Sequence, residues 1–264
     1  MRGLRRLVLA ALAVAMCPAP TMAGTVVELP LLSYYDYEPF MRRGLQDGLT
    51  HELAAWLNKR LAGRYRFVPG YLPKGRVDLL LADPHWAGAL AWVEPGFVED
   101  AAQSRYHWSR SLLEEIDHVA SRREVRFEYS GNDSLQGLVL GTLFNQHYPD
   151  VDGLLRQGRI RRADALTQEA NLHKLMLGRV DVVFVSDSTL PSLRERIPGL
   201  DKRIHLSTQP RRRFSRRLML SPAVPATQLN ELMPLLDRLD CDAEWRAVLR
   251  RYGLSHRPAS GHCR

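Results

Sequence analysis

The sequence predicts a two-lobed α/β fold in which each lobe is a mostly parallel sheet flanked by helices, with two crossover strands joining the lobes. Three observations predict it. Apolar runs suited to strands alternate with stretches whose apolar residues recur at helical spacing, the pattern of βα units whose sheets are covered on both faces. That alternation occurs twice, once in each half of the chain. Short apolar segments between and after the two sets can carry the chain from one lobe to the other and back.

In the first half, Val26 to Ser33 alternates and is rich in strand formers. Gly48 to Leu61 follows with Leu49, Leu53, Trp56, Leu57 and Leu61 on one helical face, so that face packs on a sheet. Tyr65 to Tyr71 reads as the next strand. A short helix from about Pro73 to Ala82 comes next, and Asp83-Pro84 stops it. Ala89 to Val93, bounded by Gly88 and Pro95, suits a buried parallel strand. The second half repeats the order: strand Leu138 to Leu143, a modest helix Val151 to Arg156, and strand Ile160 to Ala163. Helix Leu166 to Leu177 ends at Gly178, and Val180 to Val185 is an apolar strand. His118 to Arg122 is the expected crossing and Leu218 to Ser221 the return. Helices Ala226 to Leu239 and Asp242 to Tyr252 then pack on the first lobe or on the seam. The expected division is a leader at 1–23, a discontinuous first lobe at 24–117 and 222–264, and a second lobe at 118–221.

The leader is an address rather than structure. Arg2, Arg5 and Arg6 precede an uncharged apolar run from Leu7 to Met16, and Thr21-Met22-Ala23 offers a cleavage site after Ala23. The run is shorter than the roughly 20 residues of a membrane span, and Met16 before Cys17 is too large for a lipoprotein signal. A periplasmic location without stable membrane insertion is therefore expected. Removal of the leader lowers the formal charge from +8 to +5. Arg211-Arg212-Arg213, Arg216-Arg217 and Arg122-Arg123 hold much of the excess and read as a solvated basic surface. No nucleic-acid-binding motif accompanies them. Cys241 and Cys263 remain, and in an oxidising compartment they suit a disulfide whose closed loop stabilises by about 3 kcal/mol. Two unpaired thiols on a flexible tail are the other reading.

Five segments together resemble the family 3 extracellular solute-binding proteins, the type II periplasmic binding proteins of amino-acid ABC transporters. They are Tyr35-Asp36-Tyr37-Glu38-Pro39-Phe40, Gly48-Leu49-Thr50-His51-Glu52-Leu53, Tyr106-His107-Trp108-Ser109, Gly178-Arg179-Val180-Asp181 running into Asp187, and Trp245 to Leu254. The resemblance implies a ligand cleft between hinged lobes and an inner-membrane permease as partner. It also assigns to Asp187 the acid that meets a ligand amino group. The sequence departs from the family where an arginine grips the ligand carboxylate: the segment reads Glu94-Pro95-Gly96-Phe97-Val98-Glu99.

Ligands of open α/β sheets sit at the carboxyl ends of strands, which selects the candidate residues. Tyr35 and Phe40, among Tyr34, Tyr35, Tyr37 and Phe40, offer flat faces for a ring or cation, against a reading in which they pack at the lobe surface. Trp92 and Glu94 end a first-lobe strand, with core the alternative for the indole. Trp108 and Ser109 precede the crossing, the indole being equally suited to buried structure. Thr142 and Asn145, with Phe144, lie where a strand meets a helix and backbone N–H groups can hold an anion, or where Asn145 simply caps. Asp187 either contacts ligand or caps the helix from Ser188. The histidines are scattered without metal spacing, and no nucleotide or hydrolase motif occurs. No catalytic residue, metal or cofactor is expected. The expectation is a monomeric solute-binding protein, not an enzyme, that captures a small polar solute such as an amino acid. A dehydratase-like enzyme on the same fold and a ligand-loaded partner of a membrane sensor are the alternatives.

Overall fold

The computed structural model describes residues 26–42, 44–144, 146 and 148–254. The leader, Asn145 and Cys263 lie outside the described residues. The first half forms β1 (Val27–Ser33), α1 (Leu49–Arg60), β2 (Tyr65–Tyr71), α2 (Lys74–Leu81) and β3 (Ala89–Val93). β1 lies between β2 and β3, parallel to both, as short βα units require. Gly48 opens α1 at φ 107, and a Cβ there would come within 2.8 Å of the Phe40 carbonyl oxygen and Met41 Cα. Only glycine admits this approach, which folds the segment after β1 back over the helix start.

β4 (His107–Arg122) leaves the first lobe and runs into the second. There β5 (Val139–Leu143), α3 (Asp152–Arg156), β6 (Arg161–Ala165), α4 (Gln168–Met176), β7 (Val182–Ser186), α5 (Leu190–Arg196), α6 (Leu200–Arg203) and β8 (Ile204–Leu206) follow. β9 (Arg212–Leu220) returns the chain, and α7 (Ala226–Leu236) and α8 (Ala243–Arg251) close it. The strands join in the order β2-β1-β3-β9-β4-β7-β5-β6, with β8 also on β4. β4 and β9 are antiparallel partners from His107↔Leu220 to Asp117↔Arg212. Beyond that point β4 pairs β7 from Asp117↔Ser186 to Ser121↔Val182. The partner change near Asp117 marks the seam.

Each half of the sheet is buried on both faces. In the first lobe one core gathers Leu53, Leu57, Trp92, Leu236, Trp245 and Leu249 from α1, β3, α7 and α8, while Val77, Leu90, Val98 and Met219 fill the opposite face. The second lobe has Leu172, Leu175, Val183 and Leu193 on one face and Leu135, Leu140, Tyr148 and Val182 on the other. The last helix is fixed by Asp242, which caps it through the Trp245 N–H (2.8 Å), accepts from Trp56 Nε1 (3.1 Å) and pairs with Arg60 (2.6 Å).

Two features differ from the sequence reading. The crossing strand has 16 residues and begins at His107, because charged residues that interrupt an apolar pattern find partners across the seam. The arginines of 211–217 are only in part a solvated surface: Arg213 is exposed, but Arg211 and Arg216 are buried, each against carboxylates and rings described below.

On the second lobe, Glu128 fastens the 125–130 segment to the connection after β8. Its carboxylate accepts from the Thr208 N–H (2.8 Å), Thr208 Oγ1 (2.9 Å) and Ser207 Oγ (3.1 Å), and bonds His205 Nε2 (2.6 Å). The Thr208 N–H, then His205, lower its pKa from 4.5 to about 2. The folded value lies below the unfolded one, so the contribution is complete above pH 4.5 and is lost as pH falls towards 2. Glu128→Gln is expected to flatten the fall in thermal midpoint over that interval; an unchanged acid limb in the variant would contradict this.

Candidate interlobe ligand site

The carboxyl ends of the second-lobe strands face the loop that follows β1 in the first lobe, and a small crevice of about 50 Å³ lies between them. Tyr37 lines it from the first lobe and Asp117 from the seam. Leu143, Tyr148, Gln168, Phe184, Ser186 and Thr189 line it from the second lobe. Tyr148 and Phe184 meet edge to face at 5.6 Å, and the Gln168 amide donates to the Phe184 carbonyl (2.7 Å). Asp117 accepts from Arg211 Nη1 and Arg212 Nε, each at 3.0 Å, and from Ser186 Oγ. Burial pushes its pKa up, but Arg211, Ser186 and Arg212 outweigh that and hold the carboxyl below its ordinary range. It is therefore a fixed anion at neutral pH. Burial raises the Tyr37 phenol well above its ordinary pKa, with Tyr35 adding to the effect, so the crevice meets Tyr37 as a neutral donor.

Tyr35 and Phe40 lie one layer beneath Tyr37, both buried. Their rings flank the Arg216 guanidinium at 4.8 and 4.6 Å. Trp92 is fully enclosed in the first-lobe core, where its indole donates to Thr50 Oγ1 (2.9 Å) and stacks on Trp245 at 6.3 Å. Its φ is 69 at an irregularity in the β3–β9 register, a conformation that is uncommon for a bulky residue. Glu94 sits 3.5 Å from Arg212 and lines a separate hollow of about 190 Å³ with Ser215 and Arg217. Trp108 donates to Asp100 (2.8 Å), which also accepts from the Ser104 and Arg105 N–H groups. Ser109 is buried and accepts from the Leu218 N–H (2.9 Å). Thr142 is buried and donates to Asp164 (2.7 Å). Asp187 bonds His118 Nε2 (2.6 Å) and lines neither hollow.

The sequence candidates are thus brought together in one group only, Tyr35, Phe40 and Trp92 around Arg216, while Glu94 and Asp187 do not meet. The crevice residues Asp117, Tyr148, Gln168 and Phe184 escaped sequence reasoning. One signal was available. Glu115 and Asp117, and likewise Arg212, Phe214 and Arg216, are spaced by two, which puts each set on one face of a strand.

No family model matches the sequence, and no curated protein matches it. Solved structures do. An ancestral arginine-binding protein bound to arginine superposes with a TM-score of 0.64 at 12% identity, over 85% of this chain and 97% of that one. This is the two-lobed type II periplasmic-binding-protein fold. The ligand-binding core of GluR0 from Nostoc punctiforme, in complex with L-glutamate, shares that fold at TM-score 0.61 and 13% identity, over 85% and 98% of the two chains. The periplasmic domain of BvgS from B. pertussis matches at TM-score 0.62 and 17% identity, over 86% of this chain and 42% of that one. Among the described residues no helix is long and apolar enough to cross a membrane, and no group of three or more His, Cys, Asp or Glu could hold a metal ion.

Proposed function

We propose that this chain is an exported solute-binding protein that takes a small polar solute, an amino acid or a related compound, between its lobes, and that it delivers the solute to an inner-membrane ABC permease. The observation that carries the reading is the meeting of strand carboxyl ends from the second lobe with the β1 loop of the first, at a crevice holding rings, an amide and a fixed anion. The solved proteins of this fold that hold arginine or glutamate support it. The rings supply faces for an apolar or cationic moiety, and Gln168 and Thr189 are hydrogen-bonding groups on the crevice wall.

The leader is proposed to be cut after Ala23. Thermal-shift screening of 24–264 against amino acids, polyamines, sugars and organic acids is expected to give a saturable rise in midpoint for one class, because a ligand that binds only the folded state stabilises it. Tyr37→Ala is expected to weaken that ligand about tenfold, the worth of one good aromatic contact. Undiminished affinity would remove the crevice as the site. Recovery of the ligand unchanged separates binding from an enzyme, which would accumulate product.

We also propose that Cys241 and Cys263 are bridged in the exported chain. Intact mass is then expected to be lower by one hydrogen per thiol than that of the reduced protein, and two alkylatable thiols in the unreduced chain would exclude the bridge.

A further inference from the structure

We propose that closure of the two lobes is built into the chain itself, held by an alternating ladder of charges across the seam rather than by a solute. The proposal goes beyond the binding role, since it holds whichever solute enters the crevice. The ladder runs Glu94–Arg212–Asp117–Arg211–Asp150. Glu94 follows β3 in the first lobe and lies 3.5 Å from Arg212 Nη1. Arg212 Nε and Arg211 Nη1 both donate to Asp117 at 3.0 Å. Arg211 reaches into the second lobe, where Nε donates to Asp150 at 2.8 Å. Each cation also lies over rings: Arg212 over Phe214 (4.2 Å) and Phe97 (5.0 Å), Arg211 over Phe184 (4.1 Å) and Tyr148 (5.7 Å).

A second tie runs beside the first. Arg216 Nη1 donates to the Trp92 carbonyl of the first lobe (3.2 Å), and Arg216 Nε to Glu115 (2.5 Å). Glu115 in turn accepts from the N–H (3.0 Å) and Oγ (2.7 Å) of Ser188, just before α5 of the second lobe. At the lips, Arg196 of α5 pairs with Glu38 of the β1 loop (3.2 Å). At the back, a Cβ built on Gly253 would lie 3.0 Å from Pro191 Cβ, so the end of α8 abuts the start of α5.

The physical consequence is a shift in what a solute has to supply. In a hinged receptor the ligand closes the lobes through its differential affinity for the closed form. Here the pairs that join the lobes already favour that form, because opening would part Glu94 from Arg212 and Arg196 from Glu38, while the buried Asp117 and Glu115 pairs stay with the paired strands β4 and β9 as a fixed frame. Entry then draws on the open fraction, and apparent affinity falls in proportion to it.

Small-angle scattering of 24–264 tests this directly. The wild-type chain without added solute is expected to scatter as the closed structure, with a radius of gyration of about 18 Å for a compact chain of this length. Glu94→Gln combined with Arg196→Ala cuts the ladder at its first-lobe end and the pair at the lips, both at partly exposed sites, and is expected to raise that radius while cooperative melting persists. Should the pair of changes impair folding, Arg196→Glu alone, which sets like charge against Glu38, is expected to give a smaller rise. A wild-type profile of separated lobes would overturn the proposal. So would folded variants whose scattering is identical to that of the wild type.

Discussion

Arg216→Ala is expected to lower the unfolding free energy by about 3–5 kcal/mol, because it leaves Glu115 as a buried charge without its base. The two side chains are 4% and 0% exposed, so water cannot replace the lost guanidinium. The change also removes the cation from between the Tyr35 and Phe40 rings and the donor from the Trp92 carbonyl. Thermal denaturation should register a fall of roughly 10 °C in midpoint for a chain of this size. The control is Arg216→Met with Glu115→Gln, which keeps the volume and removes both charges. Replacing a buried pair by neutral groups is often close to neutral in stability, so the double variant is expected to recover most of the loss. If Arg216→Ala melts within about 2 °C of the wild type, the pair contributes little and the seam is held by packing alone.

Trp92→Ala is expected to cost a comparable amount, about 3–5 kcal/mol, for a different reason: the cavity left by a fully enclosed indole. Trp92 touches Phe40 at 5.6 Å and Trp245 at 6.3 Å, with the two indoles nearly parallel, and donates to Thr50. It therefore joins β3 to both α1 and α8. Trp92→Phe keeps most of the apolar contact and loses only the donor, and should cost about 1–2 kcal/mol. Denaturant unfolding followed by tryptophan fluorescence distinguishes the two, since Trp245, which both variants keep, is fully buried in the same core. Equal losses for alanine and phenylalanine would place the energy in the Thr50 bond instead of the packing.

The elements themselves were largely legible. Ala89–Val93 reads as a buried strand from five apolar residues between Gly88 and Pro95 and is one, and α1 spans Leu49–Arg60 as its 3.6-residue spacing requires. The C-terminal helices join the first-lobe core through Leu232, Leu236, Trp245 and Leu249. A helix from Ser188 was expected and α5 begins at Leu190, whereas α6 and β8 were not read, because runs of three or four residues carry too little periodicity to separate from turns.

The candidate site was much less legible. Sequence proximity to a strand end selects Tyr35 and Phe40, but both are buried, and Tyr37, in the turn beyond the end of β1 at Ser33, is the ring that reaches the crevice. Asp187 has the expected place after β7, yet its partner is His118 across the β4–β7 pairing. The arginines of β9 read as solvated surface charge and Asp117 was not singled out, since nothing local says that residues about ninety-five positions apart will pair, as Asp117 and Arg212 do.

By itself, the sequence determined which segments become strands and helices, their order and their doubling into two lobes, because hydrophobic periodicity and helix or turn punctuation act over a few residues. Only the tertiary structure decided which charges are buried, which ring faces the crevice and which face of the crossing strands meets the seam. Those outcomes depend on desolvation and on partners brought together from distant positions, and a local pattern contains neither.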